Sequence, residues 1–164
     1  MKRYIRSAVR PISDEDYTTR WGTANDKHLR GKELEVLATD PSEQVRFIVA
    51  KNPNTPESIL RKLYKDKSSM VVHGVAANPN LPKDLLKGFL QSADELVPVY
   101  LAENPNLPES VIRTLWDSGE ARFDTQWNLA SNPCTPVDIL SEMVQDPRAD
   151  LSNRAANNPN AYKL

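Results

Sequence analysis

The 164-residue chain has a single cysteine, Cys134, so it cannot form an internal disulfide or build a cysteine cage for zinc or an iron–sulfur cluster. Its five glycines are too few and too scattered for a phosphate-cradling loop. No run of about 18 apolar residues occurs, and the N-terminus lacks the apolar stretch of about 7–15 residues that marks a secretory signal. The expected setting is therefore soluble, reducing and cytoplasmic, with no membrane involvement. Neither sign of charge dominates: 21 Lys and Arg against 22 Asp and Glu leave a net −1. No whole-molecule field draws the chain to nucleic acid or membrane. The two histidines, His28 and His73, have no Cys or carboxylate at metal-ligand spacing. No catalytic, cofactor-binding or metal-ligating residue stands out, and the chain reads as non-enzymatic.

Proline, by contrast, is frequent (13 residues) and falls at regular places, as punctuation does. Asn-Pro pairs begin at Asn52, Asn78, Asn104, Asn132 and Asn158, spaced by 26, 26, 28 and 26 residues. A fixed period in this range is the mark of a repeat array. In register, the units read 29–54, 55–80, 81–106, 107–134 and 135–160, after a half-unit at 17–28 and an N-terminal segment at 1–16. Each unit opens with an amphipathic helix. Its apolar columns are Leu34, Leu60, Leu86, Ile112, Leu140; Ile59, Leu85, Val111, Ile139 (Glu33 in the first unit); Leu37, Leu63, Phe89, Leu115, Met143; and Ala38, Tyr64, Leu90, Trp116, Val144. At 3.6 residues per turn these form one broad stripe. Thr55-Pro56 and Thr135-Pro136 suit a helix start, with threonine as cap and proline in the first turn.

A shorter second helix follows, with Asp40-Pro41 and Asp146-Pro147 at its expected start. Its core columns are Val45, Val71, Val97, Thr125, Leu151 and Val49, Val75, Leu101, Leu129, Ala155. Its shortness suits a 3₁₀ or mixed helix. A third column is alanine throughout: Ala24, Ala50, Ala76, Ala102, Ala130, Ala156. A side chain held that small implies close approach by the neighbouring unit. The Asn-Pro pair closes the unit, because the residue before proline is pushed out of the α region. Its asparagine (Asn52, Asn78, Asn104, Asn132, Asn158) is read as a structural corner bonding backbone groups the bend leaves unpaired.

The stretch "VRFIVAKNPNTPESILRKLYKD" (45–66) resembles the leucine-rich repeat variant family, whose units run Val-Arg-x-x-Val-Ala-x-Asn-Pro-x-x-Pro-x-x-x-Leu-x-x-Leu-x-x-Asp. The likeness extends over about residues 17–160. It implies an all-α fold: a right-handed α-solenoid of about five repeats, each an α-helix plus a short α/3₁₀ helix, akin to HEAT and armadillo arrays. The Arg of the pattern occurs at Arg20 and Arg46; Val72, Pro98, Gln126 and Ser152 replace it elsewhere. Some members carry an iron–sulfur cluster on an N-terminal Cys-rich segment, which residues 1–28, lacking cysteine, do not share. The resemblance implies no catalytic residues.

Function then rests on surfaces. About 100° per residue from Val45 and Val49, Phe47 points away from the core. Its equivalents Trp21, His73, Val99 and Trp127 complete a candidate protein-binding column, since aromatic residues anchor interfaces. The alternative is that these rings lie over the alanine column and close gaps between units, or are covered by the N-terminal segment. Residues 1–12 hold Lys2, Arg3, Arg6 and Arg10 with no acid, against 17 basic and 22 acidic residues beyond them. This segment is either a cap docked on the first unit or a basic arm for nucleic acid. The expected partner is a protein or peptide bound along the groove, with the chain monomeric or weakly self-associating. The second reading is a nucleic-acid-binding HEAT-like array.

Overall fold

A computed structural model describes residues 14–26, 28–118 and 122–161. The docking of residues 1–12 lies outside them, as do residues 119–120 of the insertion after Ser118. All regular structure among the described residues is helical. In chain order the α-helices are α1 (Asp14–Ala24), α2 (Lys32–Leu37), α3 (Glu43–Lys51), α4 (Glu57–Leu63), α5 (Ser69–Ala76), α6 (Leu86–Leu90), α7 (Val97–Glu103), α8 (Glu109–Asp117), α9 (Phe123–Ser131), α10 (Val137–Val144) and α11 (Ala149–Ala156). A 3₁₀ turn, Lys83–Leu85, leads into α6. The second helix of each unit is α-helical, so the 3₁₀ expectation for it is corrected. The 3₁₀ geometry appears instead where Pro82 opens the first helix of the third unit.

Every substantial helix–helix contact joins elements one or two places apart in the chain. The second helices α1, α3, α5, α7, α9 and α11 each pack on the next, and each of α2, α4, α6, α8 and α10 packs on the second helix after it. One continuous cluster of buried apolar side chains runs between the two sets. Its members include Leu34, Leu60, Ile112 and Leu140 from the first helices, and Val45, Val71, Leu101, Leu129 and Leu151 from the second. The fourth column sits at the margin, where the stripe runs off the helix end. There Tyr64, Trp116 and Val144 are half-buried and Leu90 is exposed. Gly31, at φ 61°, precedes α2 in the left-handed region that favours glycine.

The corner asparagines tie each unit to the one before. Nδ2 of Asn78 donates to the carbonyls of Ala50 (2.6 Å) and Asn52 (2.9 Å), while its Oδ1 accepts the N–H of Asn80 (2.7 Å). Two carbonyls on one side and an N–H on the other fix the amide's orientation. Asn52 reaches back in the same way to Ala24 and Asp26, Asn104 to Ala76 and Asn78, Asn132 to Ala102 and Asn104, and Asn158 to Ala130 and Asn132. Ala50, Ala102 and Ala130 lie in the last turns of α3, α7 and α9, where carbonyls lack intrahelical partners. The asparagine of the following unit supplies those partners. This also explains the alanine column. Ala24, Ala50, Ala76, Ala102 and Ala130 are buried under the following corner, whereas Ala156, on which no further corner packs among the described residues, is exposed.

Two capping expectations are corrected. Thr55 and Thr135 do not cap the helices after them: the N-caps are Pro56 and Pro136, in extended conformation. The threonine hydroxyls turn back and donate to the carbonyls of Val49 (2.5 Å) and Leu129 (2.6 Å). Asp40 and Asp146 precede rather than cap α3 and α11, accepting the N–H groups of Ser42 and Arg148 two residues on. Asp66 does likewise with Ser68. Asp40 and Asp66 also receive an arginine from the preceding second helix. Arg20 Nε lies 2.6 Å from Asp40 Oδ2, and Arg46 forms a two-pronged pair with Asp66 at 2.7 and 2.9 Å. The guanidinium of Arg46, first through its hydrogen bonds, holds the Asp66 carboxyl below the usual carboxylate range.

Candidate protein-binding face

The outward column of the second helices breaks into two patches. In the first, Gly74 sets the geometry. A Cβ at this position would lie 2.9 Å from Ala50 Cβ and 3.0 Å from the Phe47 carbonyl oxygen. Glycine therefore lets α5 close onto α3, and the units on either side meet across it. The Phe47 ring stands edge-on to Tyr100 at 6.3 Å, two units away, and His73 stacks flat on Tyr100 at 4.7 Å. Lys51 lies over the Phe47 ring and pairs with Glu103 at 2.6 Å, again spanning two units.

His73 is accordingly buried, 4 % exposed, rather than on the wet face expected for it. Its Nε2 lies 2.7 Å from Asp94 Oδ2. The Asp94 carboxyl is held below its ordinary range, first by the backbone N–H of Leu96 and then by His73. Phe47 and Val99 are half-buried. This patch spends its aromatic surface on its own neighbours, and at His73 the gap-closing alternative describes the ring's environment.

The second patch is more open. Trp127 on α9 is half-buried, with the Arg154 guanidinium 4.2 Å above its ring and Arg154 Nε donating to its carbonyl oxygen. Phe123, one turn earlier on α9, lies 5.7 Å from Trp127 and is 45 % exposed. The Arg148 guanidinium lies over the Phe123 ring at 5.3 Å and bonds Asp146 and Gln126. Trp21, on α1 at the other end of the column, is 41 % exposed. Aromatic faces roofed by cations offer both apolar area and positive charge. The i, i+4 spacing of Phe123 and Trp127 was a usable sequence signal that a column counted at one register missed. Tyr100, one residue beyond Val99, was missed for the same reason.

Two hollows lie on this face at the same register. One, about 320 Å³, is bordered by Ala24, Asn25, Phe47, Ile48 and Lys51. The other, about 410 Å³, is bordered by Ser131, Asn153, Arg154, Asn157 and Pro159. Between them the Phe47–Tyr100 and Lys51–Glu103 contacts bridge the column. Among the described residues no three His, Cys, Asp or Glu side chains gather as metal ligands. His28 is exposed, and half-buried Cys134 donates its thiol to the Pro105 carbonyl. No described helix is long and apolar enough to cross a membrane. The nucleic-acid reading rests on residues 1–12, which lie outside the described residues. No protein-family model, no curated protein and no solved structure matches the chain.

Proposed function

We propose that the chain is a right-handed α-solenoid of about five 26-residue repeats, of the leucine-rich-repeat-variant kind, and a cytoplasmic, non-enzymatic scaffold for another protein. The bound element is an extended segment lying across the second-helix face. Its apolar side chains meet Trp21, Phe123 and Trp127, and its polar and acidic groups meet Arg154 and the polar hollow beside it. The observation that carries this reading is the aromatic–cation cluster of exposed Phe123 and Arg148 with half-buried Trp127 and Arg154, and exposed Trp21 in the same column. Large aromatic residues beside arginine are the commonest anchors of protein interfaces.

The test is comparative capture from cell extract with wild-type chain and a Trp21→Ala, Phe123→Ala, Trp127→Ala variant, both checked for unchanged helicity and urea midpoint. Proteins retained by wild type and lost with the variant support the reading. A folded variant that retains the same proteins refutes it.

A further inference from the structure

Two successive inter-unit junctions lack the charged filling found at the others, and the second of them keeps the larger hollow. Where a first helix turns into a second, the space between neighbours is filled by Arg20 with Asp40, then by Arg46 with Asp66, each pair 20 residues apart. At the last junction Arg148 enters from the other side, joining Gln126 to Asp146. Counted forward by 26 residues from Val72 and Ser92, Pro98 and Ser118 hold the corresponding places between the third and fourth units. Neither can reach the other with charge, and a cavity of about 340 Å³ remains, lined by Phe89, Val97, Pro98, Leu101, Leu115 and Thr125. At the junction before it Val72 and Ser92 are also uncharged, but the hollow is smaller, about 280 Å³, and Tyr64 packs edge-on to Phe89 beside it.

The fourth unit departs from the pattern once more. Thr125 stands where the other second helices carry Val45, Val71, Val97 and Leu151. It is 1 % exposed, and its hydroxyl has no hydrogen-bond partner among the described residues. A buried hydroxyl without a partner destabilises a fold, and valine would fit the same space without that penalty. A helical threonine has two χ1 wells, so the hydroxyl can turn to a polar group delivered at the base of the cavity. At the rim, Arg122 and Glu95 pair at 3.1 Å and neutralise one another. The phenyl ring of Phe89, among the lining residues, gives an aromatic occupant a neighbour. The volume falls at the lower end of small-molecule sites, which span about 300–1,000 Å³.

We propose that this cavity binds a small, uncharged aromatic molecule of phenol size, whose single polar group becomes the partner of the Thr125 hydroxyl. The site lies at the opposite edge of the unit from the corner asparagines and is separate from the aromatic face.

The experiment is a titration of the isotope-labelled full chain with phenol and with toluene, followed by NMR. Saturable shifts centred on Val97, Leu101, Leu115 and Thr125 are expected. Thr125→Val should weaken phenol by about 3- to 10-fold, the worth of one hydrogen bond, and leave toluene unchanged. A second variant, Pro98→Arg with Ser118→Asp, restores the filling pair and should abolish both responses. The proposal is overturned if no saturable shift appears, if shifts centre elsewhere, or if wild type and Thr125→Val bind phenol equally.

Discussion

Replacing Asn78 by alanine removes three hydrogen bonds from a side chain that is 0 % exposed. The consequences differ for the three groups left behind. The Asn52 carbonyl keeps the N–H of Thr55 at 3.0 Å, so it is not orphaned. The Ala50 carbonyl, in the last turn of α3, loses its 2.6 Å donor within the buried seam, at a cost of about 1–3 kcal/mol. The part-buried N–H of Asn80 regains water in part, adding about 1 kcal/mol. Asn78→Ala should therefore destabilise by about 2–4 kcal/mol. Asn104→Ala is the internal control. Its bond to the Ala76 carbonyl is 3.5 Å long, at the limit of a useful hydrogen bond, so less is lost and about 1–2 kcal/mol is expected. Urea unfolding followed by circular dichroism, with free energies from midpoint and slope, measures both. If the two variants lose the same amount, or Asn78→Ala loses less than about 1 kcal/mol, the backward-reaching amide is not what joins the units.

Ala76→Leu should cost about 1–3 kcal/mol by overpacking the seam under the following corner. The same change at exposed Ala156 should stay within about 0.5 kcal/mol, and equal urea midpoints for the two would disprove the account of the alanine column. Acid should weaken the Arg46–Asp66 pair in a definite direction. The folded carboxyl lies below its unfolded value of about 3.9, so the unfolded chain binds more protons between the two values. The contribution is complete above about pH 4 and is lost as pH falls through the folded value. The stability gap between wild type and Asp66→Asn should stay constant above about pH 5 and narrow as pH falls below about 4; parallel profiles would contradict it.

Periodicity made the helix pairs and most of their core legible, because a stripe repeated five times averages out local exceptions such as Glu33 and Thr125. The fourth apolar column misled where it nears a helix end: nothing in the spacing separates half-buried Tyr64 from exposed Leu90. The place of the threonines is not legible in the sequence, because Thr-Pro is compatible with two geometries. With Pro56 extended at ψ 149°, Thr55 lies outside the cap, and its hydroxyl meets the helix behind it. A helical wheel drawn on α5 alone puts His73 in water, since the wheel has no knowledge that Tyr100 and Asp94 of the next unit cover it. The oddities at Pro98, Ser118 and Thr125 are visible residue by residue, yet only the fold brings them to one cavity.

The chain of backward-pointing amides has a direction, and at residue 26 it has a stop. Asp26 occupies the corner place and accepts the N–H of His28 as its asparagine counterparts do, but a carboxylate has no proton to hand to anything before it. At the far end, Ala156 and Asn158 present carbonyl oxygens. The same grammar lets a 26-residue unit be spliced in between Asn52 and Asn158, provided it ends in Asn-Pro.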